Sequence, residues 1–174
     1  MSLHLQSSDF ELFGLPERFA QDGAAVDSRW KELQREAHPD RFAAEGAAAQ
    51  RVAMQWSVRI NEAYRRLKDP LQRAAYLCEL RGAPINAQDN TAMPTKFLIE
   101  QMEWREALEE SEGAEPLERL EQELLQARRD VLQHIEQLLD RDNDAAGAAR
   151  QVRALMFIER FGRDVQDRFE QLGQ

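Results

Sequence analysis

The sequence predicts an all-α protein of two helical domains: an N-terminal helical hairpin closed by a His-Pro-Asp loop, and a C-terminal three-helix bundle. Three observations carry this. Apolar residues recur at three- and four-residue spacings along most of the 174-residue chain. Gly and Pro are few, at 8 and 6, and charged residues make up 32%, a composition that suits amphipathic helices. The charge also changes along the chain. Residues 1–81 hold 12 basic and 12 acidic side chains, whereas 82–174 hold 11 and 20 and so carry the whole net charge of −9. Gly82, Pro84, Asn86, Asn90 and Pro94 punctuate the join, and the expected division is 9–81, a linker over 82–93, and 94–174.

In the first domain a helix is expected after Val26-Asp27-Ser28, where Asp27 or Ser28 can cap its start. Val26, Trp30, Leu33 and Ala37 follow at i, i+4, i+7 and i+11, one apolar stripe. At about 100° per residue Lys31, Arg35 and His38 share another face, which is basic. Pro39 stops the helix, because its ring disfavours the α conformation at His38 and it has no N–H to donate. Ala43 to Ala49, with Gly46, reads as a loop or frayed helix start. Val52, Trp56, Ile60, Ala63 and Leu67 form a second stripe, ended at Asp69-Pro70. Pro70 suits the first turn of a further helix to Leu80.

This arrangement resembles a J-domain, the module of DnaJ-type co-chaperones. Asp9-Phe10-Glu11-Leu12-Phe13-Gly14-Leu15 is similar to its opening, and His38-Pro39-Asp40 stands at the loop between its second and third helices. Ile60-Asn61-Glu62-Ala63-Tyr64 and Asp69-Pro70-Leu71-Gln72-Arg73-Ala74-Ala75-Tyr76 are similar to its closing motifs. Ala37 stands where an aromatic residue is common and Arg41 where a lysine is common. Arg41 keeps the charge but replaces a compact ammonium with a planar fork.

The second domain is expected to break near Gly113-Ala114-Glu115-Pro116 and near Asp142-Asn143-Asp144. Its middle helix carries a coiled-coil-like seam of Leu117, Leu120, Leu124, Ala127, Val131, His134 and Leu138. Its last helix shows Leu155, Ile158, Phe161, Val165, Phe169 and Leu172 on one face. The first helix differs. With Phe97 at 0°, Trp104 and Leu108 fall within about 20° of it and form the natural core face. Leu98, Ile99 and Met102 then lie with Glu103 and Glu106 across roughly 100° to 240°, the opposite side. Adaptable aliphatic and methionine side chains among carboxylates suit either a partner surface or a face that another helix covers.

The segment Phe97 to Glu106 resembles the opening of the C-terminal domain of the HscB family, J-type co-chaperones of iron–sulfur cluster assembly. The resemblance implies two partners: an HscA-type chaperone of the DnaK class and an IscU-type cluster scaffold protein. It assigns chaperone binding to His38, Pro39 and Asp40, with Lys31, Arg35 and Arg41 around them. It assigns scaffold binding to Leu98, Ile99, Met102, Glu103, Glu106 and Phe157. A J-protein serving a general DnaK-type chaperone would share the first domain and differ at Phe97–Glu106.

Several classes are disfavoured. An acidic second half lacks the positive footprint of a nucleic-acid binder, and no apolar run reaches the length of a membrane span. Met1 to Ser8 has neither a secretory pattern nor the Arg-rich character of a mitochondrial presequence, so a cytoplasmic address is expected. One cysteine, Cys78, allows no intramolecular disulfide and no multi-cysteine metal site. His134 has no companion ligands at metal spacing, so neither metal nor cofactor is expected. An acid–base enzyme built on His38 and Asp40 would lack a nucleophile or phosphate loop nearby.

Overall fold

The computed structural model describes residues 3–85 and 92–173. It is built from helices, with no strand among the described residues, as the sequence predicts. The α-helices are α1 (Asp9–Phe13), α2 (Gly23–Ala37), α3 (Ala47–Lys68), α4 (Pro70–Leu80), α5 (Thr95–Glu110), α6 (Ala114–Glu136) and α7 (Ala145–Leu172). A 3₁₀ segment, Pro39–Glu45, joins α2 to α3, and a π-helical turn, Gln137–Arg141, extends α6. Two compact units divide between Leu77 and Cys78, inside α4. Of the expected 82–93 linker, 86–91 lies outside the described residues.

In the first unit α2 starts earlier than its sequence suggests. Asp22, not Asp27 or Ser28, is the cap, its carboxylate accepting from the Ala24 N–H at 3.0 Å. Asp27 instead pairs with Lys68 at 2.8 Å and accepts from the Tyr64 hydroxyl at 2.7 Å, tying α2 to α3. Those two bonds, Lys68 first, hold the Asp27 carboxyl below its ordinary pKa. The core is Phe10, Leu12, Phe13, Val26, Leu33, Ala53, Ile60, Ala63 and Leu67. Val52 is exposed, contrary to the expected stripe, and Ala53 takes the inward position. Each step of four residues drifts about 40° round the helix, so Val52 lies about 80° from Ile60, whereas Ala53, seven residues before Ile60, lies within about 20° of it.

Helix α1 is only five residues long; besides the packing of Phe10, Leu12 and Phe13 it is held by one buried polar group. The carboxylate of Asp9, fully buried, takes the Arg66 fork at 2.7 and 2.8 Å and Arg59 at 2.8 Å. Its own N–H donates to the Tyr76 hydroxyl at 2.9 Å, and Arg66 stacks over the Tyr76 ring. Nη1 of Arg59 is buried with no hydrogen-bond partner among the described residues.

The second unit is the expected three-helix bundle of α5, α6 and α7. Ser111 and Gly113 make the first break, and Pro116 falls inside the first turn of α6, where a missing N–H costs nothing. The second break holds Asn143 at φ 49°, after which Asp144 caps α7 through the Gly147 N–H. The α6 seam departs from the sequence reading past Val131. His134 is exposed and Leu138 half-buried, while Ile135 and Leu139 are buried. A straight helix drifts from a 3.5-residue repeat, so the inward position moves on by one residue. Leu172 is likewise exposed. Arg153, buried among the apolar residues of α7, donates to the carbonyls of Ile85 and Ala92.

Candidate functional site

Two regions hold the residues singled out from the sequence. The first is the end of α2. His38 leaves the helix with φ −62° and ψ 128°, the extended conformation imposed by Pro39. Its Nδ1 accepts from the Asp40 N–H at 3.2 Å and lies 3.6 Å from Oδ2 of the same residue. With Nδ1 accepting, the neutral ring carries its proton on Nε2. The Asp40 side chain is 91% exposed. Arg41 folds back, and its guanidinium donates to the Arg35 carbonyl at 3.2 Å, closing the last turn of α2.

What aims the basic face is a ladder between α2 and α3. Trp30 stacks on Tyr64 with ring centroids 4.6 Å apart and donates from Nε1 to Asn61 Oδ1 at 3.0 Å. Gln34 donates to the same oxygen at 2.7 Å and accepts from the Ser57 hydroxyl at 3.0 Å. Trp30 and Gln34 are one helical turn apart, so these bonds fix how α2 is rotated. Lys31 and Arg35 are then exposed to solvent. Asn61 and Tyr64 of the Ile60–Tyr64 motif thereby act on the tripeptide's surroundings from α3.

The second region is α5. Phe97 and Trp104 are buried at 5% and 6% exposure, and Leu108 is half-buried. On the other side Leu98, Ile99 and Met102 stand 47%, 57% and 72% exposed, with Glu103 and Glu106 exposed beside them. Beneath lies an aromatic cluster. Phe97 meets Trp104 and Phe157 edge-on at 5.7 Å each, and Phe157 stacks on Phe161 at 5.6 Å. Phe157 is only 8% exposed and is roofed by the Arg105 guanidinium at 5.3 Å. It therefore supports the α5 surface from below, apart from the sliver of ring left open. Among the described residues no group of His, Cys, Asp and Glu is placed to hold a metal ion.

The protein-family model described as "HSCB C-terminal oligomerisation domain" matches residues 93–166. The co-chaperone HscB homolog of Burkholderia vietnamiensis is 50% identical over 171 residues, covering 97% of both chains. The chain belongs to the HscB co-chaperone family. The HscB homolog of Burkholderia mallei is 47% identical over the same span. Among solved structures, HscB from Vibrio cholerae matches with a TM-score of 0.81 and 36% identity, covering 95% of this chain and 99% of that one. Human HscB, at 24% identity, shares the fold with a TM-score of 0.87, covering 100% of this chain and 87% of its own. An HscB co-chaperone works beside a chaperone, and the relatives are named for that role rather than for a catalytic activity.

Three residues with cross-element polar contacts escaped the sequence reading. Gln34 and Ser57 are polar residues on otherwise amphipathic helices, and their pairing depends on how α2 and α3 meet. Arg153 resembles any charged residue of α7 until its two carbonyl partners are in place. Cys78 is buried, and burial pushes its thiol pKa up to about 11. No helix among the described residues is long and apolar enough to cross a membrane.

Proposed function

We propose that this protein stimulates the ATPase of an HscA-type, DnaK-class chaperone and delivers an IscU-type scaffold protein to it during iron–sulfur cluster assembly, in the cytoplasm. The observation that carries the reading is the α5 surface: Leu98, Ile99 and Met102 open to solvent on the face opposite Phe97 and Trp104. A face kept apolar while its helix already has a core on the other side serves association rather than folding. Its carboxylates, Glu103 and Glu106, add a directional charge. Family membership supplies the chaperone side of the reading, and the exposed His38-Pro39-Asp40 corner is the part of the first unit that such a chaperone would meet.

In this mechanism the protein carries out no chemistry of its own. The tripeptide, Lys31, Arg35 and Arg41 bind the chaperone's ATP-bound state more tightly than its alternatives, and differential affinity shifts the chaperone toward hydrolysis. The α5 surface holds the scaffold on the same polypeptide, which raises the scaffold's effective concentration at the chaperone. The test is ATP turnover by the HscA-type chaperone, with and without scaffold. Wild-type protein should accelerate turnover. Asp40→Asn should lose the acceleration while keeping scaffold binding and its melting temperature, because Asp40 is exposed and surface substitutions usually change stability by less than about 0.5 kcal/mol. Full stimulation by a folded Asp40→Asn variant would overturn the assignment.

A further inference from the structure

A groove runs between α5 and α6, with a volume of about 550 Å³. Its floor is apolar, made by Phe97, Trp104, Ala127 and Val131. Its rims are acidic: Glu100 and Glu103 rise from α5, Glu123 and Asp130 from α6. Among the described residues Glu100, Glu103 and Glu123 make no ion pair, and Asp130 accepts a bond from Gln126 on its own helix. Lys96 and His134 are the groove's basic side chains. Four carboxylates around an aromatic floor match one side-chain chemistry closely. A lysine or arginine lays its aliphatic stem on apolar surface while its cationic head meets carboxylates.

The groove also joins the surface already described. Stepping round α5 from Met102 through Glu106 and Ile99 leads to Glu103 at about 240° and Glu100 at about 300°, which is the groove's near wall. A partner covering Leu98, Ile99 and Met102 therefore reaches the groove without a gap.

We propose that the scaffold surface extends across α5 into this groove, and that α6 takes part through Glu123 and Asp130 by receiving a lysine- or arginine-bearing segment of the scaffold protein. This deepens the proposed function and rests on it. Charge complementarity selects the occupant: an acidic or neutral segment would leave the carboxylates desolvated and unpaired.

The test is calorimetric titration of an IscU-type scaffold at low and high salt. Variants are Glu123→Lys with Asp130→Lys, and a control of equal charge change elsewhere on α6, Glu118→Lys with Glu136→Lys. All four positions are exposed, and circular dichroism verifies the helices. The neutral pair Glu123→Gln with Asp130→Asn replaces the reversal if the latter does not fold. The groove pair is expected to weaken binding roughly tenfold at low salt and about threefold or less in high salt, while the control stays within about twofold of wild type. If groove and control pairs behave alike while Leu98→Ala and Met102→Ala still weaken binding, the groove assignment fails and the proposed function stands. If wild-type protein does not bind the scaffold, both fail. If sedimentation shows a self-associated species that the groove pair dissociates, the occupant is a second copy of this chain and the proposal is overturned.

Discussion

Replacing Leu98, Ile99 and Met102 together by alanine separates a binding face from a structural one. Fully burying an aliphatic side chain of this size is worth about 1.5–3 kcal/mol. At exposures of 47%, 57% and 72%, roughly half to three quarters of that remains to be gained on contact. Each residue then offers about 1–2 kcal/mol to a partner. Because such contributions do not add strictly, the triple variant should bind an IscU-type scaffold about 10²- to 10³-fold more weakly. Folding should hardly notice. The exposed parts of these side chains contribute little to the bundle, and alanine on α5 gains a few tenths of a kcal/mol in helix propensity over isoleucine. Calorimetric titration measures the first quantity and thermal unfolding the second. Acceleration of the HscA-type chaperone without scaffold should be unchanged, since the substitutions leave the first unit untouched. A cooperative loss of the bundle would mean a cost of roughly 2–5 kcal/mol per residue, the signature of core truncation. That outcome, or unaltered scaffold affinity in a folded variant, refutes the reasoning.

Three further outcomes follow from other parts of the structure. Neutralising the exposed Lys31 and Arg35 should slow association with the chaperone and flatten its salt dependence; equal association rates for variant and parent at low and high salt would retire the basic face. Asp9→Asn leaves two guanidinium groups around a neutral amide. It should cost about 3 kcal/mol, the low end for a broken buried pair, because Arg66 is 38% exposed; a chemical denaturation midpoint equal to wild type would contradict the network. Cys78 should resist alkylation at pH 8 until the protein is denatured, because its thiol stays neutral up to about pH 11. Its folded pKa is raised, so its stabilising contribution is whole below the ordinary thiol value of 9.0 and is lost as pH rises from there through about 11; rapid labelling of the folded protein would overturn this.

Helix positions were legible wherever a stripe of large apolar residues stood alone. The opposition of Phe97 and Trp104 to Leu98, Ile99 and Met102 followed from angular position, because α5 is a regular helix, whereas whether another helix covers the second face did not. The reading was poorer where a helix start depends on a cap. The cap was expected at Asp27 or Ser28, but Asp27 is engaged by Lys68 and Tyr64, about forty residues away, and that pairing cannot be seen in the local sequence. It also slipped along α6, where small rotational drift accumulates until Ile135 replaces His134 on the inside. Polar contacts across elements, such as Gln34 with Ser57 and Asn61, leave no periodic signature at all. The site's exposed chemistry could thus be read from the chain, whereas the scaffolding behind it required the three-dimensional arrangement.

The anchoring of α1 by Asp9 bears on the order in which the first unit assembles. Five residues are too few to hold a helix in isolation, and Asp9 meets Arg66 and Tyr76 across separations of 57 and 67 residues. The α2–α3 hairpin closes a much shorter loop and pays its entropy first. Helix α1 is accordingly a late arrival, and Phe10, Leu12 and Phe13 stay wet until it docks. A late-forming contact governs escape from the native state rather than entry into it. In stopped-flow experiments Asp9→Asn should therefore unfold faster while refolding at the wild-type rate. The lifetime of the finished α2–α3 hairpin should then depend on a carboxylate that lies on neither of its helices.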